Sequence, residues 1–180
     1  MTQSHTNQAR PAEASDIVVL GSLMIEFYAE AQFSLPRAAA ERTFAALLAE
    51  PNLGWVWLLE SDGRPAGFVV LTVSFSMEYG GLRGFVDDFF VAKPFRRRGL
   101  GLLALQAVKE ECARRGVRAL LVETSSANRD ALSVYHRAGF VDTEHLLMKV
   151  ELGRAVHAVE QGDEADKARA SPAVGRGPRS

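Results

Sequence analysis

The chain has 180 residues, of which 47% are hydrophobic and 24% charged, and its formal net charge is −1. That length suits one domain with a sizeable core, and the near-zero charge excludes a global attraction to nucleic acid or to an anionic membrane surface. Cys112 is the only cysteine, so no internal disulfide can form; the first ten residues carry no apolar leader core, and no apolar run approaches the ~18 residues of a spanning helix. A soluble, cytoplasmic protein is expected.

Taken in order, Thr6 to Arg10 reads as a short edge strand before Pro11. Apolar residues then recur at helical spacing at Ile17, Leu20, Leu23, Met24 and Phe27, with Ser15 or Asp16 as the expected cap. Tyr28 to Leu35 reads as a loop or helix end. Pro36 opens a second helix carrying Phe44, Leu47 and Leu48, which stops before Pro51. Strands follow: Trp55 to Glu60, the hairpin signal Asp62-Gly63, then Ala66 to Phe75, a turn at Gly80-Gly81, and Leu82 to Val91. Pro94 closes that meander because it cannot donate to a ladder.

Leu100, Leu103, Ala104 and Ala107 mark one face of the next helix, which ends at Gly116. Val117 to Thr124 is consecutively apolar at its centre and reads as a buried strand. Asn128 to Arg137 is a short helix with Asn128 as its cap, and Phe140 to Leu152 is expected to supply a last strand or pair of strands. Residues 153–180 lack apolar periodicity and cannot bury enough surface to offset their ordering entropy, so a disordered tail after a domain of residues 1–152 is expected. The element order predicts a three-layer α/β domain with a mixed sheet, in which Phe85 to Val122 forms a βαβ crossover.

The chemistry concentrates between Val86 and Leu102. Arg96-Arg97-Arg98-Gly99-Leu100-Gly101 places three cations at a helix start. There the orphan N–H groups and positive dipole end already favour an anion, so the cations are unfavourable unless a phosphate joins them. No Gly-Lys-Ser/Thr follows, which excludes a nucleotide-hydrolysing loop, and the single Gly-x-Gly fails the dinucleotide fingerprint. Just before the turn stand Asp87 and Asp88. Regular strand alternation would aim one at a groove and the other at the opposite face, unless a β-bulge intervenes. Cys112 lies mid-helix and reads as buried and inert. His5, His136, His145 and His157 show no metal-ligand spacing, so no metal is expected.

The hexapeptide resembles the Gln/Arg-x-x-Gly-x-Gly/Ala signature of the GNAT N-acetyltransferase superfamily. Asn128-Arg-Asp-Ala-Leu-Ser-Val-Tyr135-His-Arg-Ala-Gly139-Phe140 resembles the Asn and Tyr-x-x-x-Gly-Phe segment of the same family. The resemblance covers roughly residues 6–151. It implies the three-layer GNAT fold, a mixed, mostly antiparallel sheet with helices on both faces, and acetyl-CoA as co-substrate. By that match Phe89, Phe90, Val91, Arg96, Arg97, Arg98, Gly99, Leu100, Gly101, Leu102, Asn128 and Tyr135 hold acetyl-CoA. Backbone N–H near Phe90 or Val91 meets the developing oxyanion, and Tyr135 serves the departing sulfur. Val-Asp-Asp-Phe-Phe-Val is similar to the Leu-Glu-Asp-Phe-Phe-Val string of diamine and polyamine acetyltransferases, where the residue matching Asp87 binds or deprotonates the amine. Asp88, Tyr28 and Glu30 are then substrate-binding candidates, and Glu26 and Glu78 would add negative charge. The expected partner is a small-molecule or peptide amine, with neither nucleic acid nor membrane; dimers are common in the family, so a homodimer stays open. The competing expectation is a non-catalytic acyl-CoA sensor of the same fold.

Overall fold

A computed structural model describes residues 5–150, Leu152 and the backbone of residues 158–159. Its elements are β1 (Asn7–Pro11), α1 (Ile17–Glu30), β2 (Phe33–Ser34), α2 (Arg37–Ala49), β3 (Gly54–Ser61), β4 (Arg64–Ser76), β5 (Gly81–Val91), α3 (Leu100–Arg114), β6 (Val117–Val122), α4 (Arg129–Arg137) and β7 (Ala158–Val159). The main sheet has the order β1-β3-β4-β5-β6; β1, β3, β4 and β5 pair antiparallel, and β6 lies parallel to β5 across the α3 crossover. The fold is therefore the expected three-layer α/β arrangement with a mixed, mostly antiparallel sheet.

Local chemistry explains the turns. Asp62 and Gly63 both take positive φ, 52° and 70°, the pair of left-handed residues a two-residue hairpin needs to match strand twist. Gly116 ends α3 at φ 74°, as its position predicted. Adjacent residues of β5 separate the two helical layers. The Phe90 ring lies 5.6 Å from Phe27 of α1 and 6.0 Å from Phe68, whose ring lies 5.6 Å from Phe44 of α2. Phe89 instead lies 6.2 Å from Tyr135 of α4. Neighbouring side chains on a strand point to opposite faces, so α1 and α2 cover one side and α3 and α4 the other. Leu20, Phe44, Phe68, Leu71 and Leu100 are fully buried between them.

Three expectations need correction. Asp16 does stand at the N-cap of α1, but its side chain makes no capping bond to that helix. The Asp16 carboxylate instead accepts the Glu13 N–H at 2.8 Å and pairs with Arg10 at 2.8 Å, which holds its pKa below the usual carboxylate range. The segment after Tyr28 is helical to Glu30, and Phe33–Ser34 then pair antiparallel with Ala158–Val159. Apart from that pair, the expected tail of residues 153–180 lies outside the described residues.

The third correction is the largest. Residues 141–150 form no strand and are all exposed, although their composition favours one. After α4 the chain turns at Gly139, φ 92°, with the Phe140 N–H donating to the Tyr135 carbonyl at 3.0 Å, and residues 141–150 pair with no strand of the sheet. Among the described residues β6 is therefore the sheet edge, and its apolar residues are half-buried rather than buried as expected.

Candidate active site

β5 has two neighbours along its first half and one along its second. Its parallel ladder with β6 ends at the pair Val86–Val122, while its antiparallel ladder with β4 continues to Val91–Gly67. From Asp87 onward one edge of β5 is therefore open. The Ala92 N–H donates to the Ala66 carbonyl of β4 at 2.8 Å. In an antiparallel ladder the groups facing a given neighbour alternate, so the Phe90 N–H also faces β4, whereas the Phe89 and Val91 N–H groups face the open edge. Of the two N–H groups expected near an oxyanion, that of Val91 faces the open edge and that of Phe90 faces β4.

A bulge decides where the aspartates go. Val86 pairs with Leu71 and Asp88 with Val70, which leaves Asp87 as an extra residue. Strict alternation is broken there, and both carboxylates raise the pKa of the half-buried Tyr28 phenol, Asp88 more than Asp87, after burial itself. Asp87 is exposed and Asp88 half-buried. Loss of water pushes the Asp88 carboxyl up to about 6, with the neighbouring Asp87 charge adding to it, and also raises Asp87. Neither makes an ion pair or hydrogen bond to a described residue.

The basic turn works differently from a uniform arginine cluster. Arg96 donates from Nε to the Val91 carbonyl at 2.7 Å and from Nη2 to both Glu30 oxygens at 2.8 and 2.7 Å. Arg96 and Glu30 thus neutralise each other and tie the end of α1 to the turn. Glu30, an amine-binding candidate, and Arg96, a phosphate-binding candidate, are thus engaged with each other. Glu78 is also misplaced for the amine: it lies in the turn before β5, about 20 Å of strand away from Asp87. The Arg98 guanidinium lies 5.5 Å from the Phe95 ring, and its carbonyl accepts from Asn7 Nδ2 at 2.7 Å. Asn7 of β1, invisible to motif reading, therefore pins the turn from the far end of the chain. Arg97 is the exposed cation, 4.0 Å from the equally exposed Asp130.

The start of α3 leaves backbone donors free. Gly99 precedes α3 with φ 83°, no side chain caps the helix, and its first turn holds no acidic residue. Intrahelical bonding starts with the Leu103 N–H donating to Gly99, so the N–H groups of Leu100, Gly101 and Leu102 have no helical acceptor. Gly101 serves a second purpose. A Cβ there would meet Val134 Cγ1 at 3.2 Å and Phe89 Cζ at 3.5 Å, so this glycine lets α4 close on α3.

That closure positions Tyr135. Its side chain is buried between Phe89 and Phe140, 6.2 and 5.6 Å ring to ring, and burial pushes the phenol up to about 12. It holds its proton firmly at neutral pH. Asn128 is the cap expected of it, its Oδ1 accepting the Ala131 N–H at 3.2 Å, which leaves its amide N–H groups as donors. Cys112 is buried mid-helix and raised to about 11, the state of an inert thiol. No cluster of three or more His, Cys, Asp or Glu able to hold a metal occurs among the described residues, nor does any described helix suit a membrane span.

The acetyltransferase (GNAT) family model matches residues 21–140, and the chain belongs to that family. It is 29% identical over 133 residues to the uncharacterized N-acetyltransferase YhfO of Bacillus subtilis, covering 74% of this chain and 87% of that one. An integron cassette protein from the mobile metagenome of Cole Harbour salt marsh superposes with a TM-score of 0.77 at 51% identity, over 83% of this chain and 93% of that one. A predicted acetyltransferase of Clostridium acetobutylicum, solved with acetyl-CoA, shares the fold with a TM-score of 0.66 at 20% identity, over 81% and 96%. The protein is an acetyl-CoA-dependent N-acetyltransferase.

Proposed function

We propose that the chain acetylates a primary amine of a small cationic molecule, diamine- or polyamine-like, in the cytoplasm. The observation that supports this is the bulge at Asp87, which sets two unpaired carboxylates beside the open edge of β5. Amino acids, peptide N-termini and aminoglycosides are the competing acceptors. An alkyl amine with a pKa near 10 is mostly ammonium at neutral pH and cannot attack. In this reading Asp88 and Tyr28 hold the ammonium, and Asp87, the more exposed, takes its proton directly or through water.

Acetyl-CoA supplies the activated acetyl thioester. The residues present fit it: Leu100, Gly101 and Leu102 N–H groups with Arg97 and Arg98 suit a pyrophosphate, and the Asn128 amide and open β5 edge suit a pantetheine amide chain. The Val91 N–H stands ready for a developing oxyanion. Tyr135 keeps its proton at the phenol oxygen, available to a basic thiolate. Transfer in this reading is direct, without a covalent enzyme intermediate.

Thiol release from acetyl-CoA over a panel of diamines, polyamines, amino acids, aminoglycosides and short peptides tests the reading. The expected result is release with diamines or polyamines at the highest kcat/KM. Binding of acetyl-CoA with no release on any amine would instead identify the non-catalytic sensor.

A further inference from the structure

The turn that leads into α3 is strained, and one side chain from β1 holds it. Arg97 takes φ 61° and Gly99 φ 83°, so two left-handed residues flank Arg98. Glycine adopts that conformation freely, but an arginine keeps it only where its surroundings enforce it. The enforcing contact falls between the two: Asn7 Nδ2 donates to the Arg98 carbonyl at 2.7 Å. Asn7 is fixed in turn by its neighbour. The Thr6 N–H donates to Asp62 Oδ1 at 3.0 Å, and the Asp62 N–H donates to the Thr6 carbonyl at 2.8 Å. That backbone bond and the one from the Ala12 N–H to the Val56 carbonyl mark every second pair between β1 and β3 as hydrogen-bonded. Asn7 and Ser61 are therefore a close, non-hydrogen-bonded pair with their side chains together on one face. Asn7 Oδ1 and Ser61 Oγ are both buried without a hydrogen-bond partner among the described residues. Burying an amide with its acceptor end unpaired costs stability, and its donor end, on Arg98, is the contact that offsets this.

We propose that Asn7 is a positioning residue for acetyl-CoA, clamping the Arg98 carbonyl so that the turn keeps the shape that receives an anion; this rests on the proposed seating of the pyrophosphate there. The peptide bond after Arg98 is trans, so its C=O and N–H point in opposite directions. With the carbonyl drawn to Asn7, the Gly99 N–H is turned away from β1, and it has no backbone acceptor among the described residues. It then joins the N–H groups of Leu100, Gly101 and Leu102 in one concave set, the backbone arrangement that suits a phosphate. Without the clamp, Arg97 gains by relaxing to negative φ, which rotates the peptide planes that follow and disperses these donors. Asn7 thus acts through the turn, on how tightly acetyl-CoA is held. Ser61, its buried neighbour, makes no side-chain bond to the turn, so of this adjacent pair only Asn7 matters to the cofactor.

Calorimetric titration of the full chain with acetyl-CoA tests this, with thermal melting of the free protein as the check on folding. Asn7→Leu, close to asparagine in size but without a donor, should weaken acetyl-CoA binding by roughly five- to tenfold, the range for losing one such bond, and still melt cooperatively. Ser61→Ala should leave the affinity unchanged. The strain supplies a second readout, which a purely structural role of Asn7 would not move. With Arg97→Ala as background the left-handed residue still needs its clamp, and adding Asn7→Leu should again weaken binding by roughly five- to tenfold. With Arg97→Gly as background the clamp is dispensable, and the same addition should cost less than about twofold. Unchanged affinity in Asn7→Leu, or an equal loss in both Arg97 backgrounds, overturns the proposal. Arg98→Glu with Gly99→Glu separates it from the reading it rests on. Normal acetyl-CoA binding by that variant would remove the phosphate seat and the clamp together, whereas lost binding there with Asn7→Leu unaffected would remove the clamp alone. Should Asn7→Leu fail to fold, Asn7→Ala carries the same predictions.

Discussion

Asp87 and Asp88 show what one inserted residue does. Read as a regular strand, they point to opposite faces; with Asp87 bulged out, both act on Tyr28. Side-chain identities contain no direct record of such a bulge, because it depends on the register against β4. The two carboxylates should separate experimentally. Asp87→Asn is expected to lower kcat/KM for the amine about 100-fold, in the range for losing a general base, whereas Asp88→Asn should mainly raise the amine KM. Asp88, raised to about 6, should also set the acidic limb of the pH profile, activity falling as pH drops through that value, and Asp88→Asn should remove this limb. The stability effect has the opposite sense. A carboxyl whose folded pKa exceeds its unfolded one favours folding at acid pH and loses that contribution as pH rises through about 6. Asp88→Asn is therefore expected to stabilise the chain by about 2 kcal/mol at pH 8 and by little at pH 4, measured by denaturant titration. Tyr135→Phe should lower kcat by 100-fold or more with acetyl-CoA affinity nearly unchanged, since only the hydroxyl is removed from a ring packed on both sides.

At the scale of elements, the strand–turn–helix from β5 to α3 was legible because each piece has a local cause: β-branched and aromatic residues, Pro94, a positive-φ Gly99, then helical periodicity. The ion pair of Arg96 with Glu30 was not legible, since it joins residues 66 apart in sequence. Their side chains are 40% and 26% exposed, so Glu30→Gln is expected to cost less than about 1 kcal/mol and to leave the amine KM within about twofold, as a residue engaged by Arg96 should. Gly101 matters through packing. Gly101→Val should push α4 and Tyr135 away, costing about 2 kcal/mol by overpacking, with kcat lowered more than acetyl-CoA affinity. Adding Val134→Ala should restore much of both, because the new side chain meets Val134 first. The expected last strand failed for a reason of the same kind. Alternating Leu146, Met148, Val150 and Leu152 suit a strand, but residue pattern alone does not supply the sheet edge such a strand needs.

For the whole molecule, the proposed function has the open edge of β5 beyond the Val86–Val122 pair both seat acetyl-CoA and present it to an amine held by the aspartates. Seating alone should appear as thermal stabilisation. Acetyl-CoA at about 100 times its dissociation constant adds about 2.7 kcal/mol, or roughly 5–10 °C for a domain of this size, and Arg98→Glu with Gly99→Glu should abolish that shift. Presentation is tested most directly by thiol release in the presence of a diamine or polyamine, comparing the unaltered chain with Tyr135→Phe and Asp87→Asn. Amine-dependent release that collapses in both variants, while each keeps its acetyl-CoA thermal shift, is the predicted result. Undiminished release in both variants, or a thermal shift without release on any amine, would contradict it.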